Sequence, residues 1–428
     1  MLGEVKVDHV QNKPIHPAVR KLMLVNAIRS IGKGMMIVIL ALYLGALGWS
    51  SVAIGSVLAA GGLLGVLLAP FIGVFSDRSG RKPFVLFSEL LTAGCALIGI
   101  LSTSPVLLFI AITLAGFGKA DAGSSSPFAP VEQAWLASFI PATERGRVYS
   151  LNNALSFFGM AMGALLIGTL STGGNHISGI SSYRLAFYFT FVFSLVTTLI
   201  ILTIREESSI KQQESRHEEF GSEETGNREE NIIKEENAAI LKLALINVLN
   251  GIAIGLTGPM MSYWFSVKFG VSSTQIGGTL AMTFFATGVA SILQARHSHK
   301  HGTVQSVVFI RFIASLLLIL MPIISSYALV SIVYILRTAL NRGTQGAQQA
   351  LSVSLTRGKR RGFASSINLF SMRLPISIGP YIAGYLYGLG SLSLPFYLAS
   401  GLQFSFAFLY GKIFSSYDAR MKVNVSSG

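Results

Sequence analysis

The sequence predicts an all-α membrane protein with twelve transmembrane helices in two six-helix repeats and with both termini cytoplasmic. Three observations predict this fold class: the composition, a series of long apolar runs, and the placement of the positive charges. Hydrophobic residues make up 51% of the 428 residues and charged residues only 12%, whereas a soluble protein carries about 25% charged residues. The single cysteine, Cys95, lies within an apolar run, so the chain has neither a disulfide framework nor a cysteine-based metal or redox motif.

Twelve apolar runs are long enough to cross a bilayer, which takes about 20 residues as a helix. Inside the bilayer the backbone must satisfy its own hydrogen bonds, so each run is expected to be helical. Strands of about ten alternating residues, which would indicate a barrel, are absent from the sequence. The runs are 22–47, 51–72, 83–103, 105–138, 147–172, 183–204, 240–266, 274–295, 303–324, 326–356, 362–390 and 393–415. The fourth run is longer than one span and contains prolines.

A charged tract divides these runs six and six. Residues 205–239 hold eleven Glu with five Lys or Arg, which is too polar to bury a core. We therefore expect a flexible or partly helical cytoplasmic linker between a first half, residues 22–204, and a second half, residues 240–415. The terminal segments, 1–21 and 416–428, are expected to be cytoplasmic tails.

The positions of Lys and Arg predict the orientation. With the N-terminus in the cytoplasm, only Arg184 and Lys268 among the loop cations fall on the outer side. We therefore expect a multi-pass plasma-membrane protein whose cytoplasmic face contacts anionic lipid headgroups. The formal charge of +14 would also suit nucleic acid, but the basic residues are spread over separate loops, so no nucleic-acid partner is expected.

Residues 73–82 read GVFSDRSGRK, a short charged turn between two apolar runs that predicts a helical hairpin. The spacing G-x-x-x-D-R-x-G-R-K resembles the loop between the second and third helices of major facilitator superfamily transporters. Any cytoplasmic hairpin carries Arg and Lys, but here the glycine and aspartate positions match as well. The matching residues of this gate loop are Gly73, Asp77, Arg78, Gly80, Arg81 and Lys82.

The resemblance implies that the gate loop helps to hold the inward-closed state. Asp77 would then lie near the start of span eleven, where a helix N-terminus favours a carboxylate. Gly73 would let spans two and eleven approach closely, as small residues do in membranes. Arg78 and Arg81 are expected to pair with a carboxylate on the neighbouring loop, for which Glu144 is the candidate.

The two halves also resemble each other in sequence, as the repeated halves of a transporter do around a central site. The pairs related by a shift of 216 residues are Ser150 with Ser366, Asn152 with Asn368, Gly163 with Gly379, and Gly168 with Gly384. The pairs related by a shift of 221 residues are Asn26 with Asn247 and Gly34 with Gly255. The repeat, the six-linker-six division and the gate loop all indicate the same superfamily.

Polar and charged residues inside the membrane are costly, so each is a functional candidate. Snorkelling or a structural ion pair is the alternative for each, and it is the preferred interpretation for Arg29, Glu89 and Arg311, which lie near the cytoplasmic ends of their spans. The spans hold more cations than carboxylates, which would favour an anionic or polar solute. The substrate-cavity candidates are Asn26, Lys33, Arg337, Asn341, Gln345 and Arg373.

Proton coupling requires a group whose proton affinity changes with conformation, and burial and nearby cations act on a carboxylate in opposite directions. Asp121 and Glu132 are the proton-coupling candidates. The alternative for Asp121 is simple neutralisation of Lys33 or Lys119. His297, His299 and His301 are interpreted as part of an exposed basic turn, and no metal site is expected.

Together these features predict a secondary active transporter of a small solute, proton-coupled, working by alternating access and exporting amphipathic compounds. One alternative is a proton-linked importer of an organic anion or similar metabolite, and a non-transporting membrane sensor is another. Span five lacks the Gly-Pro pair of the superfamily's antiporters, which counts against drug efflux. The sequence has no HExxH, Gly-x-Ser-x-Gly or Walker motif, so no enzyme, ATP use or cofactor is expected. The expected state is a monomer.

Overall fold

A computed structural model describes residues 16–119, 127–141, 144–171, 180–205, 226–297, 303–344, 348, 351 and 361–426. All regular structure within these residues is α-helical. The helices are α1 (Pro17–Ala46), α2 (Ser51–Ser79), α3 (Lys82–Leu101), α4 (Pro105–Ala115), α5 (Ala129–Ser138), α6 (Arg145–Leu170), α7 (Ile180–Leu202), α8 (Gly226–Thr257), α9 (Met261–Phe269), α10 (Ser273–His297), α11 (Thr303–Leu320), α12 (Tyr327–Gly343), α13 (Arg361–Gly388) and α14 (Leu394–Ser426).

Seven helical segments in the described chain are long and apolar enough to cross a membrane. They are α1, α2, α3, α6, α7, residues 233–257 of α8 and residues 273–292 of α10. Two shorter apolar helices are α4 and residues 304–320 of α11. The all-helical, multi-pass membrane fold is therefore confirmed, whereas the count of twelve spans and the orientation of the termini stay predictions.

Two predicted spans are each divided into two helices. The run 105–138 contains α4, which ends at Gly116 with φ +65°, and α5, which begins at Ala129. The run 240–266 contains the end of α8 and the start of α9, separated at Gly258-Pro259. Proline lacks a backbone N–H and its ring clashes with the preceding turn, so α8 ends there. Helix α8 also begins inside the predicted linker, at Gly226.

Local sequence explains how α2 and α3 form a hairpin. The Ser50 hydroxyl accepts a hydrogen bond from the backbone N–H of Ala53 at 3.2 Å, which caps the start of α2. At the other end of α2, Gly80 has φ +90°, a conformation that glycine adopts at little cost. Pro83 occupies the first turn of α3, where a missing N–H is harmless. The gate loop is therefore a sharp turn between two long helices.

Each half is a bundle with equivalent helix pairs. In the first half α1 packs against α6 and α7, and α3 packs against α7. In the second half α8 packs against α13 and α14, and α11 packs against α14. The main contacts between the halves are α2 with α13 and α6 with α10. The two bundles are therefore structurally related, and they meet mainly along these two helix pairs.

Small residues bring the two halves into backbone contact at one end, where α2 begins; this end is called the sealed end. A Cβ added at Gly55 would overlap the carbonyl of Pro380, and one added at Gly62 would lie 2.6 Å from the Cβ of Ser377. On the other interface, a Cβ at Gly277 would lie 2.9 Å from the Cα of Gly168. Only glycine allows helices to approach this closely in a membrane protein.

Candidate functional site

A buried charge cluster lies inside the first half and joins three helices. Arg29 of α1 donates from Nε to Glu89 Oε1 on α3 at 2.7 Å, and from Nη1 to Glu132 Oε2 on α5 at 2.6 Å. The side chains of all three are at most 12% exposed. One guanidinium therefore faces two carboxylates, and the ionised Arg29 cluster (Arg29, Glu89 and Glu132) carries one net negative charge.

The two carboxylates of this cluster are held differently. Both oxygens of Glu89 are bonded, because the hydroxyl of Thr197 on α7 donates to Oε2 at 2.7 Å while Arg29 binds Oε1. Among the described residues, Glu132 has Arg29 as its only bonded partner. Glu132 is therefore the carboxylate with spare hydrogen-bonding capacity.

A cavity of about 50 Å³ adjoins the cluster within the first half. This volume holds a few water molecules, whereas drug-sized ligands occupy about 300 Å³ or more. Lys33 and Lys119 both reach the cavity, and Lys119 Nζ donates to the carbonyl oxygen of Gly61 at 2.8 Å. Lys33 and Glu89 thus line the same cavity, which lies inside one half rather than between the halves.

The second half buries arginines among neutral groups. Arg311 of α11 is 0% exposed and donates to Asn250 Oδ1 at 3.0 Å and to Thr344 Oγ1 at 2.8 Å. Its guanidinium also lies 5.4 Å from the ring centre of Phe406. Hydrogen bonds and the aromatic ring therefore replace the carboxylates that hold the arginine of the first half.

Arg337 and Asn341 lie one turn apart on α12, and each is 5% exposed. Within the described chain, Nε and Nη2 of Arg337 make no hydrogen bond, and neither does Oδ1 of Asn341. The neighbouring Arg342 lies 5.1 Å from the ring centre of Phe157, which belongs to α6 of the first half. The second half thus contains a buried guanidinium whose hydrogen-bonding groups are not all satisfied.

The gate loop is tied to the first half by its basic residues. Arg81 donates from Nη1 to the carbonyl of Ala134 at 2.8 Å and from Nη2 to Asp77 Oδ1 at 3.2 Å. Lys82 Nζ donates to the carbonyls of Leu202 and Ile204 at 2.9 and 2.7 Å. Lys82 therefore caps the C-terminus of α7, where a cation is favourable.

The gate loop shows no tight packing against the second half among the described residues. A Cβ added at Gly73 would meet no described atom within 4 Å, and the side chain of Asp77 is 64% exposed. Gly73 lies three turns from Gly62 on the face of α2 that contacts α13. In the part of the chain that the structure describes, the two halves are therefore in close contact at the sealed end, and no such contact is seen at Gly73.

The family of the chain follows from its sequence over nearly its full length. Residues 22–240 and 243–424 match the model of the Major Facilitator Superfamily. The chain belongs to the Major Facilitator Superfamily. Members of this superfamily are membrane transporters of small-molecule solutes rather than enzymes.

Individual relatives are distant in sequence. The chain is 21% identical to "Multidrug resistance protein 1" of Bacillus subtilis (strain 168), over 86% of this chain and 89% of that protein. Among solved structures, the nucleoside transporter NupG covers 93% of this chain and 99% of its own, with a TM-score of 0.70 and 13% identity. The human organic anion transporter MFSD10 covers 92% of this chain and 100% of its own, with a TM-score of 0.62 and 17% identity. These structural likenesses show the superfamily fold.

The sequence repeat of this superfamily member corresponds to equivalent contacts in its two halves. Asn26 Nδ2 donates to Asn152 Oδ1 at 3.0 Å between α1 and α6. Asn247 Nδ2 donates to Asn368 Oδ1 at 2.5 Å between α8 and α13. These are the residues that the two sequence shifts relate, so each asparagine pair joins the same two helices of its repeat. Asn26, predicted to line the cavity, forms a helix-to-helix bond here.

The remaining predicted residues are placed as follows. Arg373 is half-buried and lies on the face of α13 that carries Ser377, which contacts α2. Arg78 and Glu144 are both exposed, and the pairing with Glu144 stays a prediction. Asp121 and Gln345 lie outside the described residues, as do His299 and His301.

Sequence reasoning missed two features of the site. It assigned Arg29 and Glu89 to structural roles, although they form one cluster with the predicted proton carrier Glu132. It also overlooked the acid-free stretch of the sequence, which contains no Asp or Glu between residues 237 and 417 and so explains why Arg337 lacks a carboxylate partner. No carboxylate of the second half's spans can therefore neutralise its arginines.

Proposed function

We propose that this superfamily member is a proton-coupled exporter of small amphipathic compounds. It works as a monomer in the plasma membrane, with twelve spans, both termini cytoplasmic, and two halves that rock around a central cleft. Glu132 carries the coupling proton. The observation that carries this proposal is the buried guanidinium of Arg29 shared between two carboxylates.

The charge balance of the Arg29 cluster explains why it suits proton coupling. Two ionised carboxylates in a poorly hydrated interior repel each other, and one arginine compensates only one of them. A proton that binds Glu132 makes the cluster neutral and leaves the contacts of Glu89 with Arg29 and Thr197 intact. Because the cluster joins α1, α3 and α5, and Thr197 links it to α7, its protonation state can influence how these helices pack.

The contacts between α2 and α13 support alternating access. Glycines hold the halves together at the sealed end, while a Cβ at Gly73 meets no described atom within 4 Å. Gly62 contacts Ser377, so an unchanged antiparallel register would place Gly73 opposite Ser366 once that end closes. In the opposite conformation, the gate loop would therefore contact the start of α13 and close that end.

The Bacillus relative, which is named as a multidrug resistance protein, favours export of amphipathic compounds. A second candidate is import of an organic anion. The observation that favours it is the set of buried arginines in the second half. Direction and solute class are therefore tested in one assay.

The test uses purified full-length protein in liposomes with a pH-sensitive dye inside. A panel of lipophilic cations, neutral drugs and organic anions is added, and proton movement is followed for wild type and for Glu132→Gln. We expect coupled proton movement with at least one amphipathic class, and we expect Glu132→Gln to abolish it. The variant should still exchange labelled solute across the membrane, because the amide keeps the shape of the side chain.

Glu235→Gln is the matched control, because Glu235 is an exposed carboxylate on α8. This control should transport at the wild-type rate. The proposal fails if Glu132→Gln also shows wild-type proton movement. Solute flux without any proton movement in the wild type would equally contradict coupling, although the protein would remain a transporter.

A further inference from the structure

We propose that the second half contains an anion-binding site centred on Arg337, which holds the carboxylate, sulfonate or phosphate group of the transported solute. This inference rests on the proposed transport function and names the solute class. It assigns the proton to the first half and the solute's negative charge to the second.

The Arg337 guanidinium is buried and only partly hydrogen-bonded. The residue is 5% exposed, and its Nε and Nη2 atoms form no hydrogen bond in the described chain. Buried polar groups of native proteins are nearly always bonded, so an exception calls for an unseen partner or a functional role. A buried cation without a counter-charge is especially unfavourable. An anion is the partner that would satisfy both the charge and the two N–H groups.

The chain offers few carboxylates that could pair with Arg337. No Asp or Glu occurs between residues 237 and 417, so the spans of the second half contain no carboxylate. In the first half, Glu89 and Glu132 both bind Arg29. Among the described residues, no ion pair involves Arg337. The counter-charge must therefore come from outside the second half.

Two further arginines surround Arg337. Arg311 and Arg342 both lie close enough to interact with it electrostatically, which adds positive charge around the site. Arg311 already donates hydrogen bonds to Asn250 and Thr344, so it would attract an anion through its charge without binding it directly. Two further polar side chains of α12 have unsatisfied buried atoms near Arg337: Thr338, the next residue, and Asn341, one turn along the helix.

The chemistry of guanidinium selects the ligand class. Its planar fork can bind two oxygens of one carboxylate, sulfonate or phosphate group, which gives orientation as well as affinity. Arg342 stacks on Phe157 of the first half, and the buried Tyr334 lies one turn before Arg337 on α12. A solute with one anionic group and an aromatic or aliphatic body fits these neighbours. Inorganic anions share the binding chemistry but lack this body.

The test measures binding rather than transport. Purified full-length protein in detergent is titrated calorimetrically with three matched pairs of acid and amide: naphthoate, phenylbutyrate and decanoate, each with its neutral amide. Sodium chloride and sodium sulfate are titrated alone as the inorganic arm. We expect at least one acid to bind about 10- to 100-fold more tightly than its amide, because charge-assisted hydrogen bonds form only with the acid.

The variants are Arg337→Met, Arg337→Gln and Arg337→Lys, with Lys412→Met as the control because Lys412 is exposed on α14. Met and Gln should remove the preference for acids, Lys should keep part of it, and the control should match wild type. Arg337→Met should not lower the unfolding temperature, because it removes a buried charge that lacks a partner. Loss of binding without loss of stability is the pattern that a merely structural arginine would not give.

Three results would overturn the proposal. Equal binding of acids and amides across the panel would exclude the anion site. A clear fall in unfolding temperature for both Met and Gln variants would assign Arg337 to a structural ion pair. Arg337-dependent binding of chloride or sulfate that no organic acid displaces would assign the site to an inorganic ion. The calorimetric titration needs no proton gradient. Its outcome therefore does not depend on whether proton coupling is found in the liposome experiment.

Discussion

The two halves share a helical frame but treat buried charge in opposite ways. In the first half Arg29 contacts two carboxylates and the cluster is negative, whereas in the second half Arg311 is held by neutral oxygens. The helix packing of the two halves matches even in individual hydrogen bonds, since Asn26 bonds Asn152 in the first half and Asn247 bonds Asn368 in the second. The structural contacts of the repeat have therefore been kept, while the ionisable residues differ.

This difference shows where to look for function in a duplicated membrane protein. Contacts that occur in both halves, such as the asparagine pairs and the glycine packing, hold helices together. Residues that occur in one half only cannot be required by the shared frame. The Arg29 cluster and Arg337 belong to this second group, and each of the predictions below compares equivalent or contrasting positions of the two halves.

The largest contrast is expected between two arginine substitutions. Arg29→Met removes the guanidinium that binds both Glu89 and Glu132 and should destabilise the protein by about 3–5 kcal/mol. Arg337→Met should cost nothing measurable, because no described carboxylate loses its partner. Thermal unfolding in detergent would measure both. Addition of Glu132→Gln to Arg29→Met should restore part of the lost stability. Equal losses of stability for Arg29→Met and Arg337→Met would contradict this prediction.

The glycine contacts should respond alike in both halves. A Cβ at Gly163 would overlap the carbonyl of Ile31, and a Cβ at Gly379 would overlap the backbone of Gly255. Gly163→Ala and Gly379→Ala should therefore each destabilise by about 1–3 kcal/mol through overpacking. Gly94→Ala is the control, because a Cβ there meets no described atom within 4 Å, and it should be neutral or slightly stabilising. A similar effect at all three positions would show that the predicted overlaps do not determine stability.

The asparagine pairs should also be equivalent. Asn26→Ala and Asn247→Ala each remove a helix-to-helix hydrogen bond and leave the partner amide unsatisfied, at a cost of about 1–2 kcal/mol. Unfolding temperatures of the two single variants should fall by similar amounts. Double variants with Asn152→Ala or Asn368→Ala should add little to the single ones. Full additivity would indicate that the paired side chains do not interact.

The smallest effect concerns a residue without a counterpart in the second half. Thr197→Val removes the hydroxyl that bonds Glu89 Oε2, at a cost of about 1 kcal/mol. With that bond lost, Glu89 should compete with Glu132 for the coupling proton, so the pH profile of transport should broaden. Thr198→Val, the neighbouring threonine that bonds only the Ser194 carbonyl, is the control. An unchanged pH profile for Thr197→Val would show that Glu89 does not need this bond.

Much of the fold could be predicted because the length of an apolar run and a short charged turn between two runs are local signals. The hairpin at the gate loop is one example, since Gly80 supplies the turn that the spacing predicted. The break at Gly258-Pro259 was not predicted, because the apolar runs on both sides together have the length of one span. Hydrophobicity alone does not distinguish a continuous span from two shorter helices.

The site was predicted only in part because ion pairing is not local. Glu132 was chosen as a proton carrier, but its partner Arg29 is 103 residues away in the chain and Glu89 is 60 residues from Arg29. Burial of Arg337 followed from its position in a span. Its lack of a carboxylate partner could have been read from the acid-free stretch between residues 237 and 417.

If Glu132 carries the coupling proton as proposed, the net charge of the Arg29 cluster also links transport to the membrane voltage. Moving one elementary charge through 100 mV of membrane voltage involves about 2.3 kcal/mol. The ionised cluster carries such a charge and the protonated cluster carries none, so voltage would act on the unprotonated carrier during the proposed rocking of the halves. A voltage jump without solute should therefore produce a transient charge displacement in the wild type, and Glu132→Gln should abolish it. The energy available for transport would then depend on membrane potential as well as on the proton gradient.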